Sequence, residues 1–274
     1  MKKHDKVDFE RYRVKKAVAL RLRTINPEDR SAFQGGKEKA EKILEQNLEQ
    51  LSRLQELLYA THAYKILIVL QGMDTSGKDG VIKHLFKGVN PQGVRVTCFK
   101  APSADELDRD YLWRVHNAVP AKGQIAIFNR SHYEDVLVPL VRDLVSVSLI
   151  RKRYEHIKAF EKELSDEGAI ILKFFIHIDQ EEQKVRLQER LDDPAKQWKF
   201  NVDDLNTRGL WNDYMRAYEK AIQATSRQYA PWYVIPANRN WYRNLIISSV
   251  IVEKLSSLGM KFPALRAKKD ILIP

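Results

Sequence analysis

A glycine-rich segment of the sequence has the residue types and spacing of a phosphate-binding loop. Gly72, Gly77 and Lys78 satisfy the pattern G-x-x-x-x-G-K. Glycines allow successive backbone N–H groups to turn toward phosphate oxygens, and the lysine and the start of the next helix add positive charge. A chance glycine-rich turn would also fit so short a pattern. The apolar run 65–71 before it and the helical spacing of apolar residues at 81–86 after it favour the phosphate loop.

Two aspartates distinguish this segment from most loops of its type. Asp79 stands where Ser or Thr usually contributes to Mg²⁺ binding, and Asp74 lies within the loop itself. A carboxylate beside bound phosphates repels them unless a divalent cation lies between the two, so we expect both aspartates to handle a metal. Helix capping by Asp79 is the alternative, since Asp is favoured in the first turn of a helix.

A second polar segment follows the apolar run 124–129. It begins with Asn129, which carries no formal charge and therefore leaves the metal to the loop aspartates. Arg130 lies at the predicted carboxyl end of a strand, where its planar guanidinium is suited to two-point binding of phosphoryl oxygens. An exposed surface arginine is the alternative. We assign no catalytic role to His132, because a phosphate acceptor is already anionic and needs no general base.

A third segment combines cations with a helix stop. Arg186 and Arg190 are four residues apart and share a face of a predicted helix. Asp193-Pro194 ends that helix, and Lys196 and Lys199 follow. A mobile lid that closes over a phosphate chain requires cations on such an element. A solvated charged face is the alternative interpretation.

Short apolar runs alternate with helical patterns along most of the chain. The runs predict buried parallel strands, and they lie at 65–71, 94–99, 124–129, 169–178 and 232–236. Helices are predicted after the capping box Ser103-x-x-Glu106 and over 149–164 and 207–226. This order predicts an α/β fold with three layers, in which helices cover both faces of a parallel sheet. Ligands of such sheets bind beyond the carboxyl ends of the strands, which is where the phosphate loop and Arg130 are predicted.

The segment from Gly35-Gly36 to about residue 63 has a long helical pattern. Its apolar residues recur every three or four positions at Ala40, Leu44, Leu48, Leu51, Leu54 and Leu58. Docking on the domain is favoured over a coiled coil because the stripe is short. We therefore predict a basic N-terminal arm (1–35), a P-loop kinase-like domain (36–257) with a lid at about 180–207, and a C-terminal tail (258–274).

The composition fits a globular protein with a polyanionic partner. The 274 residues include 47 Lys+Arg against 36 Asp+Glu, a net charge of +11, and 44% are hydrophobic. A single cysteine excludes an internal disulfide and a cysteine-rich zinc site. The sequence contains no apolar run of the ~18 residues that span a bilayer, and the start of the sequence lacks the apolar stretch of a secretory signal. We therefore expect a cytoplasmic protein.

Three segments taken together resemble the family-2 polyphosphate kinases. They read G-M-D-T-S-G-K-D at 72–79, F-N-R-S-H-Y at 128–133 and R-L-D-D-P-A-K-Q-W-K at 190–199, and the resemblance spans roughly residues 35–257. It implies a P-loop kinase fold related to thymidylate kinases and phosphate transfer between inorganic polyphosphate and nucleotides. Segment 129–135 looks like the subgroup that accepts both nucleoside mono- and diphosphates. Other members often have Asp in place of Asn129 and Trp after the Ser, which argues against a metal role for Asn129.

The resemblance also implies roles for individual residues. The catalytic set is Asp74, Lys78, Arg130 and Arg190, and Mg²⁺ (alternatively Mn²⁺) would be supported by Asp74 and Asp79. The counterpart of Asp74 is also discussed as orienting or deprotonating the acceptor, but the anionic acceptor favours the metal role. Asn129 and Glu134 would bind the nucleotide. The phosphate-binding set is Gly72, Thr75, Ser76, Gly77, Lys78, Asp79, Arg186, Lys196 and Lys199.

Two other functions remain open at this point. An ATP-dependent nucleotide kinase of the thymidylate kinase type would share the loop and lid but would have less use for so basic a chain. A nucleic-acid-binding P-loop module could use the basic arm, although the sequence shows no recognised nucleic-acid module. We expect polyphosphate and nucleotides as partners, with no nucleic acid and no membrane, and we expect a homo-oligomer.

Overall fold

The computed structural model describes residues 7–15 and 19–264, and a five-stranded parallel sheet forms its centre. The strand order is β2-β3-β1-β4-β5. Neighbouring strands pair in register, with Leu70 of the first strand opposite both Asn129 and Phe174. The strand bounds are β1 Lys65–Gln71, β2 Val94–Cys98, β3 Ile125–Asn129, β4 Ala169–His177 and β5 Trp232–Pro236.

Helices cover both faces of this sheet. One layer contains α1 and α2, which both contact α10, and the other contains α5, α6 and α9, which contact one another. The three-layer α/β architecture predicted from the alternating pattern is therefore confirmed. The helix bounds are α1 Lys37–Thr61, α2 Lys78–Leu85, α3 Ala104–Leu107, α4 Trp113–His116, α5 Glu134–Val141, α6 Val147–Asp166, α7 Gln180–Asp192, α8 Asp203–Gly209, α9 Trp211–Thr225 and α10 Asn240–Ser256. Within these residues, we find no helix whose length and apolar content would allow it to cross a membrane.

The apolar stripe of α1 packs against α10, as the docking prediction requires. Leu44, Leu51 and Leu58 are buried. Polar side chains add to the contact, since the Asn47 amide donates to the Ser248 hydroxyl at 3.0 Å. The stripe is thus part of the domain core.

The predicted helix over 207–226 is wrong as a single element. The chain forms α8 and α9 with a break at Leu210, which ends the first and precedes the second. Gly209 immediately before the break weakens a continuous helix because glycine loses the most backbone entropy on folding. The break gives the lid its own short helix.

The described part of the N-terminal arm lies along the outer strand β5. The backbone N–H of Val14 donates to the carbonyl of Trp232 at 2.9 Å, and Arg13 forms an antiparallel bridge with Tyr233. Leu22 is fully buried. Pairing of this kind covers an edge strand that would otherwise expose its hydrogen-bonding groups. Residues 1–6 and 16–18 of the predicted arm and 265–274 of the predicted tail lie outside the described residues.

Candidate active site

The loop between β1 and α2 has the backbone geometry that phosphate binding requires. Gly72 and Gly77 have φ values of +152° and +103°, and Thr75 lies in the left-handed region at +62°. A side chain on Gly72 would approach the carbonyl oxygen of Ile176 to 2.6 Å, so only glycine fits there. The hydroxyls of Thr75 and Ser76 are buried and have no hydrogen-bond partner among the described residues. Buried polar groups of this kind are usually paired, which suggests that a ligand completes them.

Lys78 is held inside this loop. Its ammonium group donates to the carbonyl oxygens of Gly72 at 2.7 Å and Met73 at 3.1 Å. Burial lowers its pKa, and the positive charge of Arg130 lowers it further. These two bonds hold the ammonium group against the loop that the sequence predicts to bind phosphate.

The second polar segment meets the loop at the end of β3. Arg130 has φ +61°, and its guanidinium pairs with the Asp74 carboxylate at 2.7 Å. Burial alone would lower the pKa of Arg130, but the charges of Glu134 and Asp74 raise it above its ordinary value. From α7, the Gln183 amide donates to the Asp74 carbonyl at 3.2 Å. The sheet thus brings together the loop, Arg130 and the lid helix.

Asp79 lies beside Asn129 rather than in the interior of the loop. The Asn129 amide donates to the Asp79 carboxylate at 2.6 Å, and the Lys199 ammonium lies 3.8 Å from its other oxygen. The Asp79 side chain is 62% exposed. It therefore remains accessible to a cation from solvent.

The lid arginines have different partners. Arg190 pairs with Asp204 of α8 at 3.3 Å. Arg186 donates all five of its N–H groups within the protein, to the Glu182 carboxylate and to the carbonyls of Thr75, Ser76, Ala237 and Asn238. Arg186 therefore braces the loop, and the phosphate contact predicted for it would require these carbonyls to be released. The described contacts of Lys196 stay within the lid, where it pairs with Asp193 at 2.9 Å.

Sequence reasoning missed two residues of this region. Asp204 lines the same cleft as Asp74. Burial and the neighbouring Asp74 charge raise the pKa of Asp204 to about 6. Gln183 lies three positions before Arg186, so helical spacing would have placed it on the same face of α7. No comparable sequence signal identifies Asp204.

A cavity of about 560 Å³ opens between the loop, α5 and the lid. Its lining combines charged residues, among them Asp74, Arg130 and Glu134, with apolar residues, which are Phe99, Leu107, Val138, Pro139 and Leu144 among others. Burial raises the pKa of Glu134, while the charges of Arg130 and Lys78 lower it. A cavity lined by both charged and apolar side chains suits a small amphipathic phosphate ester.

A buried ionic network supports the segment that carries Arg130 and Glu134. Tyr133, which immediately precedes α5, donates to the Glu161 carboxylate at 2.8 Å. Lys173 of β4 donates to the same carboxylate group at 2.6 Å, and both charged side chains are fully buried. His132 is also fully buried and lies 3.4 Å from Glu161, which is consistent with our assigning it no catalytic role. The network fixes the backbone next to the cavity.

The donor set at the loop suits a hard cation that is shared with phosphate. The described residues include no group of three or more His, Cys, Asp or Glu side chains arranged to hold a metal. Mg²⁺ is usually bound by one or two carboxylates together with substrate phosphates, so a complete protein cage is not required. Asp74 and Asp79 supply two carboxylates, and the unpartnered hydroxyls of Thr75 and Ser76 supply further oxygens. The residues therefore fit Mg²⁺ better than a softer metal.

Comparisons with known proteins give consistent results over nearly the whole chain. A family model described as Polyphosphate kinase 2 (PPK2) matches residues 34–263. The chain is 56% identical over 255 residues to the AMP/ADP-polyphosphate phosphotransferase of Meiothermus ruber, which covers 93% of this chain and 96% of that protein. It is 43% identical over 243 residues to the ADP-polyphosphate phosphotransferase of Rhodopseudomonas palustris, with 84% of each covered. The crystal structure of Polyphosphate Kinase 2 from Arthrobacter aurescens TC1 superposes with a TM-score of 0.93 at 37% identity and covers 97% of this chain and 95% of that chain.

Proposed function

Because the chain belongs to the polyphosphate kinase 2 family, we propose that it transfers a phosphoryl group between inorganic polyphosphate and nucleoside mono- or diphosphates, forming nucleoside di- or triphosphates. The observation that carries this proposal is that Asp74 and Arg130 pair with each other in the lining of the 560 Å³ cavity, next to Gly72 and Met73, whose carbonyls accept from the Lys78 ammonium. Acceptance of both mono- and diphosphates is supported by the similarity to the Meiothermus ruber protein, which is named for both AMP and ADP.

The donor phosphate would occupy the loop. Lys78 and the backbone N–H groups from Gly72 to Gly77 neutralise and orient its oxygens, and the buried hydroxyls of Thr75 and Ser76 gain the partners that they lack within the protein. Arg186 keeps the loop in shape through the carbonyls of Thr75 and Ser76. Preorganised donors of this kind stabilise charge in the transition state without reorganising during the reaction.

The acceptor nucleotide would lie in the cavity, with its base on the apolar wall and its phosphate toward Arg130. Glu134 lines the cavity with Arg130, which supports its assignment to nucleotide binding. Asn129 directly precedes Arg130 and donates to the Asp79 carboxylate, and we propose that it binds the nucleotide from there. The acceptor oxygen is already anionic, so no residue needs to remove a proton. Phosphoryl transfer then depends on alignment in line and on charge neutralisation.

Asp74 and Asp79 would hold Mg²⁺, with Mn²⁺ as the alternative ion. When bound, the ion supplies neutralisation of the phosphate charges that meet between donor and acceptor. The lid contributes Arg190 and Lys199 from above the cleft. Its closure excludes water, which would otherwise compete with the nucleotide for the phosphoryl group.

The decisive assay supplies polyphosphate and a nucleotide but no ATP. Protein is incubated with Mg²⁺, polyphosphate and either ADP or AMP, and nucleotides are separated by ion-exchange chromatography. We expect new ATP from ADP and new ADP from AMP, and we expect chelation of Mg²⁺ to abolish both. An ATP-dependent nucleotide kinase would instead phosphorylate a monophosphate only when ATP is added. That result, with no product from polyphosphate, would overturn the proposal.

A further inference from the structure

Arg243 is a buried cation directly behind the phosphate loop. It lies on the first turn of α10, and its side chain is only 3% exposed. A Cβ atom built on Gly77 would lie 2.1 Å from its Nη1 atom, and one built on Gly80 would lie 3.5 Å from Nη2. The guanidinium therefore packs against the loop backbone and the start of α2.

The hydrogen-bond partners of this arginine are neutral. Its Nε and Nη2 donate to the amide oxygen of Asn244 at 3.1 and 2.9 Å, and its Nη1 donates to the amide oxygen of Asn240 at 2.7 Å. In the described part of the chain, no ion pair joins Arg243 to a carboxylate. Burial and the positive charge of Arg186 lower its pKa to about 9, so it stays protonated at neutral pH.

An unneutralised buried charge is unfavourable, and proteins normally pair it with an opposite charge. Aspartate at position 240 or 244 would provide that pairing with almost no change of shape. The two other arginines at the loop do have carboxylate partners, since Arg186 pairs with Glu182 and Arg130 pairs with Asp74. The two asparagines therefore hold the Arg243 guanidinium in place and leave its charge uncompensated beside Gly77.

We propose that Arg243 is a fixed positive charge that sets the affinity of the loop for the polyphosphate chain. It acts through the loop, since Gly77 lies against its guanidinium. In a poorly solvated position the attraction between charges is much stronger than in water. This inference rests on the proposed function, because it concerns the same loop and the donor that we assign to it. Arg243 is thus a positioning residue of purely electrostatic effect.

The test separates charge from shape. Arg243→Gln removes the charge, Asn244→Asp keeps the guanidinium but supplies the missing carboxylate, and Arg243→Lys keeps the charge without the planar fork. Lys254→Gln removes an exposed charge from the same helix and is the matched control. Binding of inorganic tripolyphosphate is measured by isothermal titration calorimetry, and KM values for polyphosphate and for ADP are measured by steady-state kinetics.

We expect Arg243→Gln and Asn244→Asp each to weaken tripolyphosphate binding by about tenfold, as loss of one nearby charge in a desolvated site would do. The KM for polyphosphate should rise in parallel while the KM for ADP changes little. Arg243→Lys and Lys254→Gln should stay within about threefold of the unmodified protein.

Normal tripolyphosphate affinity in Asn244→Asp would overturn the proposal, because that variant neutralises the charge of Arg243 while it preserves the guanidinium and its hydrogen bonds. Loss of affinity in Arg243→Lys as large as in Arg243→Gln would also overturn it, since the shape of the side chain would then be what matters. If Arg243→Gln fails to fold, Asn244→Asp and Arg243→Lys still decide the question. A failure of the proposed function looks different: the unmodified protein would neither bind tripolyphosphate nor form nucleotide from polyphosphate.

Discussion

The ion pair between Lys173 and Glu161 gives a quantitative test of how the site is supported. Lys173 lies in the central part of the sheet, opposite Val69 of β1, and is completely buried. Its ammonium donates to the Glu161 carboxylate at 2.6 Å, to the Tyr133 hydroxyl at 2.9 Å and to the Thr225 carbonyl at 3.0 Å. Lys173→Met keeps the length and apolar character of the stem but removes all three hydrogen bonds and the charge.

The expected loss in the free energy of unfolding is about 3–5 kcal/mol, because removing one partner leaves the other charge buried without compensation. Glu161→Gln should destabilise the protein by a similar amount, because it leaves the Lys173 charge buried without a carboxylate partner. The double variant should lose less than the sum, since it leaves no unpaired charge, and the coupling between the two sites is expected to reach about 1–3 kcal/mol. A natural domain is stable by only about 5–15 kcal/mol, so these effects are readily measured.

The assay is urea unfolding at 25 °C and neutral pH, followed by far-ultraviolet circular dichroism. Lys162→Gln is the matched control, since Lys162 is the next residue on α6 and pairs with Asp166 on the exposed surface. An exposed pair contributes at most about 1 kcal/mol. The reasoning is refuted if Lys173→Met is as mild as Lys162→Gln, or if the Lys173 and Glu161 effects add without coupling.

Three further predictions concern the loop and its surroundings. Lys78→Ala or Asp74→Asn should reduce the rate of phosphoryl transfer by about a hundredfold or more, while circular dichroism shows an intact fold. A near-normal rate in either variant would remove that residue from the catalytic set. Gly77→Ala should lower the melting temperature, because φ is +103° and the new methyl group would lie 2.1 Å from the Arg243 guanidinium. An unchanged melting temperature would contradict this contact. Burial lowers the pKa of His177 below 6.5 in the folded state, so its contribution to stability is present above pH 6.5 and is lost as the pH falls. The urea midpoint should therefore drop less between pH 7.5 and about 5 in His177→Gln than in the unmodified protein. Equal drops in the two proteins would be inconsistent with a lowered pKa.

The sequence predicted the sheet well because short apolar runs bounded by turn residues leave few alternatives. The predicted runs 65–71 and 232–236 match β1 and β5 residue for residue, and the capping box at Ser103 forms both of its hydrogen bonds. The loop and Arg130 could be located for the same reason, since each follows a strand directly. The strand bounds, the capping box and the position of the loop are encoded by residues within a few positions of one another.

Features that depend on distant contacts could not be predicted in the same way. A charged helix face is normally exposed, so the spacing of Arg186 and Arg190 predicted two cations without protein partners that could both bind phosphate. Only the folded chain shows that Arg186 reaches the carbonyls of Ala237 and Asn238, about fifty residues later in the sequence. The contact between Arg243 and the phosphate loop could not be predicted either, because the loop lies more than 160 residues earlier in the sequence. Local patterns carry no information about such partners.

The net charge of +11 does not act uniformly on a polyanion. Arg190 and Lys199 of the lid already face the carboxylates of Asp204 and Asp79, so a phosphate chain that binds them must displace those partners. The gain at each position is then only the difference between two anionic partners. Among the described residues Arg243 pairs with no carboxylate, so its attraction for phosphate would not be offset in this way. Under the two proposals above, the lid cations would position the chain and exclude water, whereas the charge of Arg243 would set how strongly the chain is held.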